Sequence, residues 1–305
     1  MSLQSFLFVA IDKLFNPYQN ERKMTKFKDV DFDIRTDIVY DESSPEACRL
    51  DTYVVKGGEG KRPVLFYIHG GGFVAGDKHY RRALSRWYAN MGYFVVNVNY
   101  GLCPEYQCPV PHRQLVAALN WVGAHADELG MDTGRMVVSG DSAGGYYAAM
   151  LACITINKSL QDKLGVSTDL RFGGAVLNCG IYDVATALKN KYPFDLGGKL
   201  LKDFAGIKKD EIDSYEWKDL CSVLPHVTEE FPVSFLTHAA KDIFCGGQAD
   251  GLMKLLGEKG VHYEEYHSDG FMDNHCFSLN WKSKAARENN RLTEDFVRRF
   301  AEGKL

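Results

Sequence analysis

No apolar run in this chain is long enough to cross a bilayer. Across 305 residues nothing approaches the roughly 18 consecutive apolar positions that a membrane-spanning helix needs. The apolar stretch at residues 6–11 is broken by Asp12 and Lys13. It lacks a basic leader and a small-residue cleavage site, which argues against a secretory signal. With Leu14 and Phe15 it reads instead as an amphipathic helix that covers something. Positive charge is not in excess either: 36 Lys and Arg stand against 40 Asp and Glu, a net of −4. The electrostatic footprint of a nucleic-acid binder is missing. Neither nucleic acid nor stable membrane insertion is therefore expected.

The eight cysteines (48, 103, 108, 153, 179, 221, 245 and 276) contain no Cys-x-x-Cys pair. Cys153 and Cys179 lie inside apolar segments, so the pattern fits buried free thiols in a reducing, cytoplasmic setting better than a disulfide framework. No compact His/Cys/Asp cluster is visible along the chain, so no metal centre and no cofactor are expected. Internal repeats, low-complexity runs and Pro- or Ser-rich linkers are absent too. The whole of residues 1–305 reads as one domain.

What is present is ample apolar material, 45% of the residues, arranged in alternation. Segments 32–40 and 49–56 look like an opening antiparallel pair. Strands are then expected at 63–68, 94–100, 136–140, 173–179, 232–238 and 261–267. Helices are expected near 78–91 and 111–129, after residue 142, and near 283–302. Strands separated by helices argue an α/β class with a mostly parallel central sheet covered on both faces. Between Gly180 and residue 232 lie about fifty residues, far more than a crossover needs. Leu196, Leu200, Phe204 and Ile207 recur there at roughly helical spacing. Segment 181–227 therefore reads as a helical cap, with residues 1–30 as a second cap element. Its aromatic groups, Tyr192, Phe194, Phe204 and Trp217, would close a pocket over the sheet.

Two glycine motifs carry the chemistry. Gly140-Asp141-Ser142-Ala143-Gly144 is a Gly-x-Ser-x-Gly nucleophile elbow, in which a strand turns sharply into a helix and exposes the serine. The apolar run Met136-Val137-Val138-Ser139 before it and the small, apolar segment 144–152 after it supply the strand and helix that the turn requires. His69-Gly70-Gly71-Gly72 lies 73 positions upstream of Ser142, at the end of the strand Pro63-Val64-Leu65-Phe66-Tyr67-Ile68. Glycines suit the task of presenting backbone N–H groups to an oxyanion, because no Cβ blocks the approach.

A serine hydroxyl needs a histidine to take its proton, and the histidine needs a carboxylate to fix its tautomer. In this type of fold the order is Ser, acid, His. Among the downstream histidines (226, 238, 262, 267 and 275), His275 is the best candidate. It follows the 261–267 strand in a polar, glycine-containing loop. Asp242 is the leading acid, a few residues beyond the 232–238 strand and 33 positions before His275, with Asp250 and Asp273 as alternatives. Asp141, beside the serine, is expected to point away from substrate and brace the turn.

These residues resemble the hormone-sensitive-lipase-like esterases of the α/β-hydrolase superfamily. The resemblance covers residues 49–279. It rests on His69-Gly70-Gly71-Gly72-Phe73, Asn99-Tyr100-Gly101-Leu102-Cys103-Pro104-Glu105, Gly140-Asp141-Ser142-Ala143-Gly144-Gly145, Asp242 and His275-Cys276-Phe277. It implies an α/β-hydrolase fold with a helical cap, and the catalytic set Ser142, Asp242 and His275. It also implies oxyanion donors on the backbone of Gly71, Gly72 and Ala143, with His69 bracing the glycine loop. The chain departs from the family at Gly101 and Cys103, where Arg and Ala are usual, so a local salt bridge would be missing.

The expected activity is that of a serine carboxylesterase acting on small, short-chain acyl esters; self-association as a homodimer is compatible with the sequence. Two alternatives remain at this level. One is an aryl formamidase or other amidase using the same triad. The other is a non-catalytic ligand-binding homologue, as in the gibberellin receptors, which resemble this family yet lack the catalytic histidine. Replacing Ser142 with Ala should cost several orders of magnitude in ester hydrolysis while leaving the fold intact. A clean Ser142→Ala enzyme that kept more than about a tenth of wild-type kcat would place the nucleophile elsewhere.

Overall fold

Burial sorts the strands into two kinds. Phe94–Val98 and Gly174–Asn178 are buried at every position, and Arg62–Ile68 at all but its first. Strands that read as continuous apolar runs belong in the middle of a sheet covered on both faces. Phe32–Val39 and Tyr263–Ser268 instead keep exposed and half-buried positions, as edge strands do. In the computed structural model, which describes residues 10, 27, 29–58, 60–187 and 195–305, that sorting is the sheet order.

The strands are β1 (Phe32–Val39), β2 (Arg49–Val55), β3 (Arg62–Ile68), β4 (Phe94–Val98), β5 (Met131–Asp141), β6 (Gly174–Asn178), β7 (Val233–Ala239) and β8 (Tyr263–Ser268). They form one sheet in the order β1-β2-β4-β3-β5-β6-β7-β8. Only β1 with β2, and β2 with β4, pair antiparallel; every other pair is parallel. The register aligns Ile68 with Gly140, Asp141 with Asn178, and Ala239 with Ser268. The carboxyl ends of β3, β5, β6, β7 and β8 therefore share one edge, where ligands bind in open α/β sheets.

Alternate side chains of each strand point to opposite faces. Phe66, Val96, Val138 and Leu177 pack in one core with α2 (Val110–Leu129) and α3 (Ala143–Ile156). Leu65, Val95, Val137, Val176 and Phe235 pack in the other, with Trp87 and Tyr88 of α1 (Arg82–Asn90) and with Phe296 and Val297 of the C-terminal helix Lys284–Ala301. Helix α3 is buried on all sides. Such a helix has no solvent face to mark it by periodicity. It is followed by the short α4 (Lys158–Leu164).

The segment after β6 carries α5 (Val184–Ala187), α6 (Leu196–Ala205) and short 3-10 turns at Lys209–Ser214, Lys218–Cys221 and Leu224–His226. It is a set of helical pieces, as its spacing suggests, with two corrections. Helix α6 stops at Ala205 because Gly206 takes the left-handed conformation, φ 75°, so Ile207 lies beyond the helix it was expected to extend. Trp217 does not line the pocket at Ser142; it is half-buried against the core, with the cations of Arg113 and Lys163 over its ring at 5.6 and 5.5 Å. Tyr192, Phe194 and almost all of the proposed N-terminal cap element fall outside the described residues. Two later helices, α7 (Gln248–Glu258) and α8 (Lys284–Ala301), complete the layers. No helix among the described residues is long and apolar enough to cross a membrane.

His112, on α2, is buried against Tyr146 and Tyr147 of α3 and Phe204 of α6, its Nε2 2.8 Å from the Tyr146 hydroxyl. Burial pushes its pKa down to about 3. An unfolded histidine titrates near 6.5, so between those values the unfolded chain binds a proton that the folded chain refuses. Stability is then fully present above pH ~6.5 and is lost as pH falls, by about 1.4 kcal/mol per pH unit for this one group. Denaturant titrations from pH 7 to 5 should show that slope in the wild type and a flatter one in His112→Gln.

Candidate active site

Ser142 sits at the junction of β5 and α3 with φ 55° and ψ −121°, a backbone conformation that side chains rarely adopt and that the surroundings must hold. Three things hold it. Its N–H donates to the Asn178 carbonyl of β6 at 2.8 Å. A Cβ at Gly144 would lie 2.1 Å from the Ile68 carbonyl oxygen, so only glycine lets α3 approach β3 this closely. Asp141, as expected, turns inward. Its carboxylate accepts from Arg81 Nε and Nη2 at 2.8 and 2.6 Å and from the Tyr67 hydroxyl at 2.7 Å. Burial alone would raise the Asp141 pKa, but Arg81 and Tyr67 outweigh it and keep the carboxyl below its ordinary value. Arg81 carries no motif; only its place in the fold, 60 residues from its partner, gives it this part.

The structure brings Ser142, His275 and Asp242 into one line. His275 Nε2 is 2.8 Å from Ser142 Oγ, and Nδ1 is 2.9 and 3.0 Å from the two carboxylate oxygens of Asp242. An ionised carboxylate can only accept, so Nδ1 carries the proton and Nε2 faces the serine hydroxyl as an acceptor. Asp242 follows β7 and also accepts from the backbone N–H groups of Phe244 and Cys245 at 2.9 and 2.8 Å. Burial pulls its pKa upward, yet the His275 interaction and those two N–H groups prevail and hold it below the usual carboxylate value. The Phe244 ring meets the His275 ring edge-on at 5.1 Å. Asn274 Oδ1 accepts from the N–H of His275 at 2.7 Å and of Ile243 at 3.2 Å, tying the acid and histidine loops together. Neither Asn274 nor Phe244 was singled out by the sequence, where each is an ordinary loop residue.

The competing acids lie elsewhere. Asp250 is on α7, 3.9 Å from His238, and Asp273 accepts from Ser268 Oγ at 2.6 Å.

The glycine loop lies against the elbow. A Cβ at Gly70 would come within 3.0 Å of the Ser142 Cβ, and Gly71 has φ 135°. Gly72 lines the same pocket as Ser142. Ala143 is the first residue of α3, where the N–H has no helical carbonyl behind it to bond. His69 is buried, stacks on Tyr100 at 4.6 Å, and its carbonyl accepts from the Tyr100 hydroxyl at 2.9 Å. At the departure from the family pattern, the Gly101 N–H donates to Gln114 Oε1 at 2.7 Å, and a Cβ there would strike the Tyr106 ring at 2.3 Å. The space for a larger side chain is filled by Tyr106.

The pocket at Ser142 is walled by Phe73, Leu200, Leu201, Phe204 and Phe244 among others. It is apolar apart from the serine. Phe204, from α6, reaches it and packs on Phe73 at 4.7 Å.

The BD-FAE family model matches residues 50–249, about two-thirds of the chain. The chain belongs to the BD-FAE family. Among curated relatives, Esterase LipI of Mycobacterium tuberculosis is 42% identical over 95 residues, 31% of this chain and 30% of that protein. Arylacetamide deacetylase of Bos taurus is 43% identical over 93 residues, 29% of this chain and 23% of that protein. The chain thus spans about a third or less of the length of these relatives. Among solved structures, Esterase B from Lactobacillus Rhamnosis superposes with a TM-score of 0.78 at 22% identity, covering 99% of this chain and 98% of that one. A bacterial heroin esterase gives 0.75 at 21% identity, covering 96% and 90%. The BD-FAE match, the esterase relatives and the shared fold agree with the hormone-sensitive-lipase-like, α/β-hydrolase resemblance of the motifs.

If Asp242 sets the His275 tautomer, Asp242→Asn should lower kcat by about 10⁴, as removal of the buried triad carboxylate does elsewhere. Asp250→Asn and Asp273→Asn should each stay within a few fold of wild type. Near-normal turnover in Asp242→Asn, with collapse in either of the others, would reassign the acid.

Proposed function

We propose that this BD-FAE chain is a serine carboxylesterase that hydrolyses short-chain acyl esters through an acyl-enzyme on Ser142. The observation that carries this reading is the unbroken hydrogen-bond line from Ser142 Oγ through His275 to Asp242, opening on an apolar pocket. His275 takes the serine proton through Nε2 as Oγ attacks the ester carbonyl. Asp242, held below its ordinary pKa, stays ionised and stabilises the imidazolium that forms. The developing oxyanion is received by the N–H groups of Gly71, Gly72 and Ala143. His275 then protonates the leaving alcohol, and a water molecule repeats the sequence to release the acid.

The pocket supports a short acyl chain. Leu200, Leu201 and Phe204 of α6 line it together with Ser142, and Phe204 is wedged among Phe73, His112 and Tyr146. A wall braced that way cannot swing aside without opening a cavity in the core. All eight cysteines are free, seven of them buried, which supports a reducing, cytoplasmic setting for the enzyme.

Rates across p-nitrophenyl esters from acetyl to palmitoyl test the reading, with an anilide as the amide control. Acetyl to hexanoyl esters should be preferred, and emulsified substrate should give no jump. Phe204→Ala should shift the preference toward longer chains by opening the α6 wall. A profile that peaks at twelve carbons or more and rises at an oil interface would make the protein a lipase, and a faster anilide would make it an amidase.

A further inference from the structure

The sequence suggests no compact metal-ligating cluster, because the residues concerned come from separate loops. The fold assembles one. A Cys179 sulfur at the end of β6, a Cys276 sulfur after β8 and a ring nitrogen of His275 all lie within 4.8 Å of one another. Both cysteines also have positive φ, 46° and 52°, a region that costs an L-residue roughly 1–2 kcal/mol. Such conformations persist only where the surrounding structure holds them.

We propose that Cys179, His275 and Cys276 form a binding site for a borderline-soft divalent cation of the zinc class, and that its occupancy silences Ser142. Thiolate sulfur and imidazole nitrogen are the donors such a cation selects. With Zn–S near 2.3 Å and Zn–N near 2.0 Å, tetrahedral ligands stand about 3.5–3.8 Å apart, so the trio, within 4.8 Å of one another, need close by at most about 1.3 Å. Loss of two thiol protons gives two thiolates that neutralise the cation, which suits a site where Cys179 is buried and His275 and Cys276 are half-buried. The fourth position is left for water.

Inhibition follows from what His275 gives up. If Nε2 coordinates, its lone pair is withdrawn from Ser142; if Nδ1 coordinates, the Asp242 contact is broken. A second set, Asp242, Cys245 and His275, also lies within 4.8 Å. It offers a single sulfur, and the two-thiol set is the softer of the two. The cation site stands on geometry alone, whereas its effect on turnover rests on the serine-hydrolase reading.

The test titrates the full-length chain with Co²⁺ alone under a non-thiol reductant, then displaces it with Zn²⁺. One equivalent should bind with a thiolate-to-cobalt charge-transfer band. The Cys179→Ser/Cys276→Ser double variant should lose that band and bind at least about tenfold more weakly, the scale already seen when outer-shell partners of a metal site are lost. Each single serine variant, read by the same band, guards against a folding defect in the double one and should lose part of the intensity. Micromolar Zn²⁺ should inhibit wild-type ester hydrolysis reversibly on adding a chelator, with the double variant at least tenfold less sensitive. No band in the wild type, an unchanged band in the double variant, or a band lost only in Cys245→Ser would overturn the site. Cobalt binding with undiminished hydrolysis would overturn it as well, since a ring nitrogen given to a metal cannot serve Ser142. A chain that binds cobalt through both sulfurs but hydrolyses no ester would leave the cation site standing and remove the hydrolase reading.

Discussion

The strained turn at Ser142 is the constraint on which the rest depends. A serine at φ 55° and ψ −121° is unfavourable by itself, and it persists because neighbours on every side fix it. The Asn178 carbonyl holds its N–H, Gly144 lets the helix close on β3, and the residue before it is anchored by Arg81 and Tyr67. That anchor is a buried ion pair, with both partners almost wholly inaccessible. Removing one partner of such a pair leaves an uncompensated charge, typically at a cost of about 3–5 kcal/mol. The pair therefore serves the geometry of the turn more than net stability.

The site is assembled by register rather than by proximity along the chain. Parallel pairing of β3, β5, β6, β7 and β8 delivers the glycine loop, Ser142, Cys179, Asp242 and His275 to one edge. A one-residue slip in any pair would turn every side chain of that strand to the other face. The continuous burial of β3, β4 and β6 guards against this, because both faces are already filled by complementary cores. Packing energy far from Ser142 thus secures distances of 2.8 to 3.0 Å within the triad line.

Electrostatics in the site work through opposition. Asp242 and Asp141 are both buried, which on its own would favour their neutral forms, and both are held ionised by hydrogen bonds and a cationic or polar partner. One, at the end of β5, faces away into the sheet, and the other, after β7, faces the histidine, so the two carboxylates serve separate tasks. At His112 burial, helped by the Arg113 charge, outweighs a hydrogen bond to the Pro109 backbone and leaves the histidine neutral.

The sequence by itself determined the strand-and-helix order, the elbow, the glycine loop and the placement of Asp242 and His275 after late strands. Those features are local: apolar runs, turn glycines and positions just past a strand are written in a few adjacent residues. The sequence also marked the long segment after β6 as helical, but it misjudged Ile207, which a single left-handed glycine excludes from the helix, and Trp217, which packs on the core beside two cations and does not line the pocket. Only the tertiary structure decided that Arg81 meets Asp141, that Asn274 ties two loops, and that Cys179 and Cys276 come together beside His275. Each of these depends on which strands are neighbours and in what register, and pairing across tens of residues leaves no periodic trace in the chain.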